Sequence, residues 1–155
     1  MEQKTKIAAE DGKQDLLITR DFELPVDLLF RAYAEPEIVE EWMGSKVLKL
    51  ESQKHGSYQL EKKDDKGNVV FAANGVIHEF IPNRKIIRTF EMGNVPFGVQ
   101  LEVYDFEPLG DDKSRLRMHI IFETGAQRDQ NLQLPFAQGI NWAHNRLEEI
   151  AKKLK

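Results

Sequence analysis

Residues 22–44, FELPVDLLFRAYAEPEIVEEWMG, hold two short apolar-periodic segments, opened by Pro25 and Pro36, and the second runs into Trp42, Met43 and Gly44. Proline in a first helical turn gives up no hydrogen bond that the helix would have made, so each marks a start rather than a break. Val26, Leu29, Phe30 and Tyr33 recur at helical spacing in the first segment, as do Ile38, Val39 and Trp42 in the second. Two brief helices are therefore expected, directly after one strand from Leu16 to Phe22 and before a long run of others. That placement describes a sheet wrapped around a space and closed at one end.

From Val47 to Glu123, apolar runs are broken by turn signals at His55-Gly56-Ser57, Asp64 to Asn68, Pro82-Asn83-Arg84, Gly93-Asn94 and Pro108 to Lys113. This punctuation marks an antiparallel meander. Phe97, Val99, Leu101 and Val103 share one face of a strand, and Leu116, Met118, Ile120 and Phe122 share one face of the next, so both sets are expected on the covered side. Gln100, Glu102, Arg117, His119 and Glu123 are then expected in solvent. Tyr104, Phe106 and Ile121 interrupt that polarity on the outer sheet face, either to pack locally or to meet a partner.

After Gly125 the period changes again. Phe136, Ile140, Ala143, Leu147, Ile150 and Leu154 form one apolar stripe on a long terminal helix, and Lys152, Lys153 and Lys155 suit its negative pole. The fold class is α+β: a curved antiparallel sheet wrapped around a long C-terminal helix, with two short helices after the first strand. Residues 1–13 carry no sustained apolar face and are expected as a disordered arm, leaving 14–155 as one domain.

Composition narrows the function. Lys and Arg number 22 against 26 Asp and Glu, for a net charge of -4, which argues against general electrostatic binding of nucleic acid. Cysteine is absent, so disulfides and thiolate chemistry are excluded, and the composition is compatible with a reducing cytoplasm, the expected location. No apolar run has signal-peptide or membrane-spanning length, and membrane insertion is not expected. His55, His78, His119 and His144 are scattered, with no pair at metal-ligand spacing, and no phosphate- or dinucleotide-binding fingerprint appears. No metal or cofactor is expected.

The order of these motifs resembles the helix-grip superfamily that includes START lipid-transfer domains, the birch-pollen allergen and polyketide cyclases. Within it, the chain is most similar to the C-terminal domain of the activator of the heat-shock protein 90 ATPase and its stand-alone bacterial homologues. The resemblance rests on Leu24-Pro25, Ala34-Glu35-Pro36-Glu37, Trp42-Met43-Gly44, Gly75-Val76-Ile77-His78-Glu79, Pro82 and Ile86-Ile87-Arg88-Thr89. It spans residues 16 to 154. Met43 stands where the family has a second Trp, and Ile77 where it has an aromatic residue.

The resemblance implies a cavity between sheet and helix that holds a small hydrophobic or amphipathic molecule, a lipid or an aromatic compound. Its expected ligand contacts are Trp42, Met43, Ile77, Glu79, Arg88, Phe90, Val99, Leu101, Met118, Ile120, Phe136, Gly139, Ile140 and Ala143. A hairpin turning through Pro82 and Asn83 would set Glu79 and Arg88 as diagonal neighbours on one face, and spacing alone leaves open whether that face points inward. If inward, Glu79 with Arg88 or His78 would supply proton transfer in a cyclase or hydrolase, the alternative to simple binding. A third alternative is a chaperone contact or self-association through the outer face around Tyr104, Phe106 and Ile121. Gly139 costs about 1 kcal/mol in a helix against Ala unless a ligand or tight packing needs the space.

Overall fold

In a computed structural model, which describes residues 4–93, 95–133 and 135–155, the chain runs β1 (Lys6–Ala8), β2 (Asp15–Phe22), α1 (Val26–Ala34), α2 (Pro36–Met43), β3 (Lys46–Leu50), β4 (Ser57–Lys63), β5 (Val69–Ile81), β6 (Lys85–Met92), β7 (Val99–Gly110), β8 (Lys113–Phe122), α3 (Gly125–Gln133) and α4 (Phe136–Lys152). Residues 1–3 of the expected arm, Asn94 of an expected turn, and Leu134 lie outside the described residues. The strands form one antiparallel sheet in the order β1-β2-β8-β7-β6-β5-β4-β3. This is the helix-grip arrangement: β3 to β8 form a meander, and β2 closes onto the far side of β8.

The two proline-opened helices form as the spacing predicts. Pro25 is the N-cap of α1, Pro36 starts α2, and Gly44 ends α2 with φ 68°, a left-handed conformation that favours glycine. Their apolar faces, with Leu29, Phe30 and Tyr33 from α1 and Ile38, Val39 and Trp42 from α2, are buried. Beneath them lie Ile18 and Phe22 of β2, Tyr104 and Phe106 of β7, and Leu116 to Phe122 of β8 at alternate positions. The Trp42 indole N–H donates to the Ala32 carbonyl at 2.6 Å, tying the end of α2 back to α1.

Two elements differ from expectation. Residues 5–8 are not a loose arm: Lys6–Ala8 pair with β2, and Thr5 is buried. The Thr5 N–H donates to Asn141 Oδ1 at 3.1 Å, and its hydroxyl lies 2.8 Å from His144 Nδ1, both on α4. Polar bonds hold this segment, so a search for an apolar face passes over it. The other is α3, GAQRDQNLQ, a polar helix that hydrophobic periodicity does not mark. The terminal helix spans Phe136–Lys152, and Leu154, expected on its stripe, is exposed beyond its end.

Candidate functional site

The inner face of the sheet is set by a row of cross-strand neighbours: Ile77 opposite Arg88, Arg88 opposite Glu102, Glu102 opposite Ile120, and Ile120 opposite Leu16. Because successive residues in a strand point to opposite faces, this row fixes the whole of β7. Gln100, Glu102, Tyr104 and Phe106 point inward; Val99 and Leu101 point outward and are exposed. The expected polarity of β7 is therefore reversed, and Val99 and Leu101 are not cavity residues. Tyr104 and Phe106, expected on an outer contact surface, are core. The signal was present: two large aromatic residues share the parity of Glu102 and outweigh the aliphatic set opposite.

The Gly75-Phe90 hairpin also departs from a regular register. It slips by one residue between Ile77 and Glu79, so Glu79 pairs with Ile87 while Ile77 pairs with Arg88. Such a bulge transfers every residue beyond it to the other face. Arg88 and Phe90 point inward, and Glu79 does not share their face. His78, at the slip, is exposed, and Ile77 is buried in the core beside the cavity. The expected pairing of Glu79 with Arg88 is thus replaced by a pair between Arg88 and Glu102.

Between the sheet and α4 lies a cavity of about 510 Å³. Its sheet wall is built by Tyr58, Leu60, Phe90, Met92, Met118 and Ile120, and its helical walls by Val39, Trp42 and Met43 of α2 and by Phe136, Gly139, Ile140 and Ala143 of α4. The expected contacts Trp42, Met43, Arg88, Phe90, Met118, Ile120, Phe136, Gly139, Ile140 and Ala143 all line this one space. A wider groove of about 630 Å³ runs along the outer face past Asp15, Arg117 and His119, where the His119 ring bonds the Asp15 carboxylate at 2.7 Å. That groove is lined mainly by charged side chains, whereas the inner cavity is mostly apolar, with Arg88, Gln100, Glu102 and Tyr104 gathered on its sheet wall and Asn131 contributed by α3, the usual form of a small-molecule site.

The polar wall is a closed network. Arg88 Nε donates to Glu102 Oε1 at 3.0 Å, and Arg88 Nη2 donates to the Tyr104 hydroxyl at 2.9 Å. That hydroxyl donates in turn to Glu102 Oε1 at 2.9 Å, and Gln100 Nε2 donates to Glu102 Oε2 at 2.8 Å. The guanidinium lies over the rings of Tyr58 and Tyr104, 4.7 and 4.9 Å from their centroids. Tyr58 can lie there because Gly75 has no side chain: a Cβ at that position would fall 2.7 Å from the Tyr58 hydroxyl and 2.0 Å from the Thr89 carbonyl. Burial raises the Tyr104 phenol well above its ordinary pKa despite the opposing pull of Arg88, so it is a neutral donor at physiological pH. Burial also works against the Arg88 charge, but the adjacent Glu102 carboxylate, by charge and by hydrogen bond, holds the guanidinium protonated. Sequence reading found Arg88 but missed Glu102, Tyr104, Gln100 and Tyr58.

Gly139 has open space where a Cβ would stand, so tight helix-to-sheet packing does not require glycine there. Gly139→Ala is expected to raise the unfolding free energy by about 0.5–1 kcal/mol, measured by urea denaturation, because alanine removes the entropy cost of glycine inside a helix. A destabilised variant would show that the helix needs glycine for another reason.

Solved structures share this architecture. A protein from Rhodobacter sphaeroides superposes with a TM-score of 0.83 at 18% identity, covering 96% of this chain and 99% of its own. One from Arthrobacter aurescens gives 0.84 at 13% identity, covering 96% and 91%, and one from Nitrosomonas europaea gives 0.77 at 23% identity, covering 96% and 100%. At these identities the likeness establishes the fold alone. No functionally curated protein matches the chain. Residues 23–152, from the end of β2 to the last turn of α4, match the profile of the Activator of Hsp90 ATPase homolog 1-like protein family, and the chain belongs to that family.

Proposed function

We propose that the chain is a binding module for a small hydrophobic or amphipathic molecule, lipid or aromatic, held between the sheet and α4 and working in the cytoplasm. The observation that carries this reading is the cavity of about 510 Å³ with mostly apolar walls and a buried polar network on its sheet wall. Adaptable methionines, Met92 and Met118 on the sheet wall and Met43 on α2, line it and suit a pocket that accepts more than one apolar shape. Proton transfer by Glu79 loses its geometric support, because Glu79 does not share a face with Arg88. Glu102 faces the cavity, but three donors already occupy its oxygens, so it is committed to the network.

The test is methionine-methyl NMR with amphipathic and aromatic probes, together with native mass spectrometry of freshly purified protein. Met43, Met92 and Met118 resonances are expected to shift together on titration, and Ala143→Trp, which fills the cavity from α4, is expected to weaken binding at least ~10-fold, equivalent to about 1.4 kcal/mol. Resonances that ignore every probe, with no retained molecule in the mass spectrum, would rule the binding reading out. The family name favours a second reading, a chaperone contact. Its surface would be the outward apolar residues Leu17, Val99 and Leu101 rather than Tyr104 and Phe106. Unaltered heat-shock protein 90 ATPase turnover at saturating protein would exclude it.

A further inference from the structure

The polar wall restricts the ligand's charge. We infer that the cavity selects an uncharged ligand carrying a hydrogen-bond acceptor, such as a ketone, ester or amide oxygen set against Arg88, and discriminates against free carboxylates and ammonium groups. This inference rests on the binding reading above and adds a chemical class to it.

The argument is one of compensation and of free valences. Arg88 and Glu102 neutralise each other 3.0 Å apart, with side chains 13% and 5% exposed, so the wall brings no net charge to the cavity. A ligand carboxylate would meet an arginine already paired and would itself be left close to the Glu102 carboxylate. An ammonium group would find both Glu102 oxygens already accepting hydrogen bonds and would face the Arg88 charge. Either ion would give up its hydration without gaining a counter-ion, which is unfavourable in an apolar site.

Beside the amide oxygens of Gln100 and Asn131, to which no donor is found among the described residues, what remains available is donors. A guanidinium carries five N–H groups, and Arg88 commits one from Nε to Glu102 and one from Nη2 to Tyr104, with no other hydrogen-bond partner among the described residues. Gln100 commits one amide hydrogen to Glu102 and has a second. A single neutral acceptor oxygen can take up to two of these donors without disturbing the pair. The aromatic faces of Tyr58 and Tyr104 hold the guanidinium in plane, so its free edge is presented in a fixed direction.

The experiment uses matched probes on two scaffolds with the purified full chain: acetylnaphthalene, naphthoate and naphthylmethylamine, and undecanone against decanoate, each titrated near neutral pH and followed by the Met43, Met92 and Met118 methyl resonances. The ketones are expected to bind at least ~10-fold more tightly than their charged counterparts, a difference of about 1.4 kcal/mol. Glu102→Gln leaves Arg88 without its counter-ion and is expected to move the preference at least ~10-fold toward naphthoate. Charged probes that bind the parent as tightly as the ketones overturn this inference and leave the binding reading standing. Binding by no probe of any charge overturns both. The comparison on the parent protein decides the matter even where the variant does not fold.

Discussion

Glu102→Ala is expected to lower the unfolding free energy by about 3–5 kcal/mol, while a double replacement, Arg88→Met with Glu102→Leu, is expected to stay within about 2 kcal/mol of the parent. The asymmetry follows from where the pair sits. Arg88 and Glu102 are direct cross-strand neighbours on the inner face, and Glu102 is almost wholly buried. Removing the carboxylate leaves a guanidinium with no anion and deprives the Tyr104 hydroxyl and Gln100 of their acceptor. Removing both charges costs the ring contacts over Tyr58 and Tyr104 and leaves one phenol facing the cavity, but no orphaned ion. Urea denaturation of Arg88→Met, Glu102→Leu and the double gives the coupling energy directly. A Glu102→Ala cost below about 1 kcal/mol would mean that water in the cavity screens the pair, and the neutral-ligand inference would lose its basis with it.

This pair also shows what the sequence conceals. The outer form of the molecule is legible because it depends on repeated local signals: prolines that open α1 and α2, turn residues between strands, and the stripe on α4. The cavity wall depends on two single events. One is the register slip between Ile77 and Glu79, which alternation cannot locate because both sets of side chains in that hairpin are mixed in polarity. The other is the inward placement of Gln100 and Glu102, which breaks the rule that the polar face meets water, since here the polar face meets the cavity and Arg88. Pattern reading assumes a dry core behind the sheet. A strand that lines a binding site violates that assumption at the very residues that matter, while the helical residues Trp42, Met43, Phe136, Ile140 and Ala143, apolar by either criterion, are found without difficulty.

A second buried polar cluster, between α4 and the first two strands, gives the protein a steep dependence on acid. The His144 ring is wholly buried, with its Nδ1 2.8 Å from the Thr5 hydroxyl and its Nε2 3.5 Å from the Tyr33 hydroxyl. Arg20, also fully buried, shares the Thr5 hydroxyl at 3.3 Å and lies 3.6 Å from Glu148, which Lys4 approaches at 3.7 Å. Burial first, and then the Arg20 charge, push the His144 pKa down to about 3 from an ordinary 6.5. Between those values the unfolded chain binds a proton that the folded chain refuses, so stability falls as the pH falls through that window. The slope approaches about 1.4 kcal/mol per pH unit and the whole loss is roughly 5 kcal/mol. Asp15, Asp21 and Asp64, with pKa values held below 3.8 by their hydrogen bonds, and Glu51, held below 4.5, lose what they contribute only as the pH falls past those ordinary values, at the acid end of this window. Urea denaturation of the parent from pH 7.5 to 4.5 is expected to show the slope, and His144→Gln is expected to flatten it while costing about 1–3 kcal/mol at neutral pH through the lost hydrogen bonds. Since the other titrating groups are common to both proteins, the difference between the two curves isolates His144. A parent curve no steeper than that of the variant would show that the ring gains its proton in the folded state, with Glu148 compensating it across Arg20.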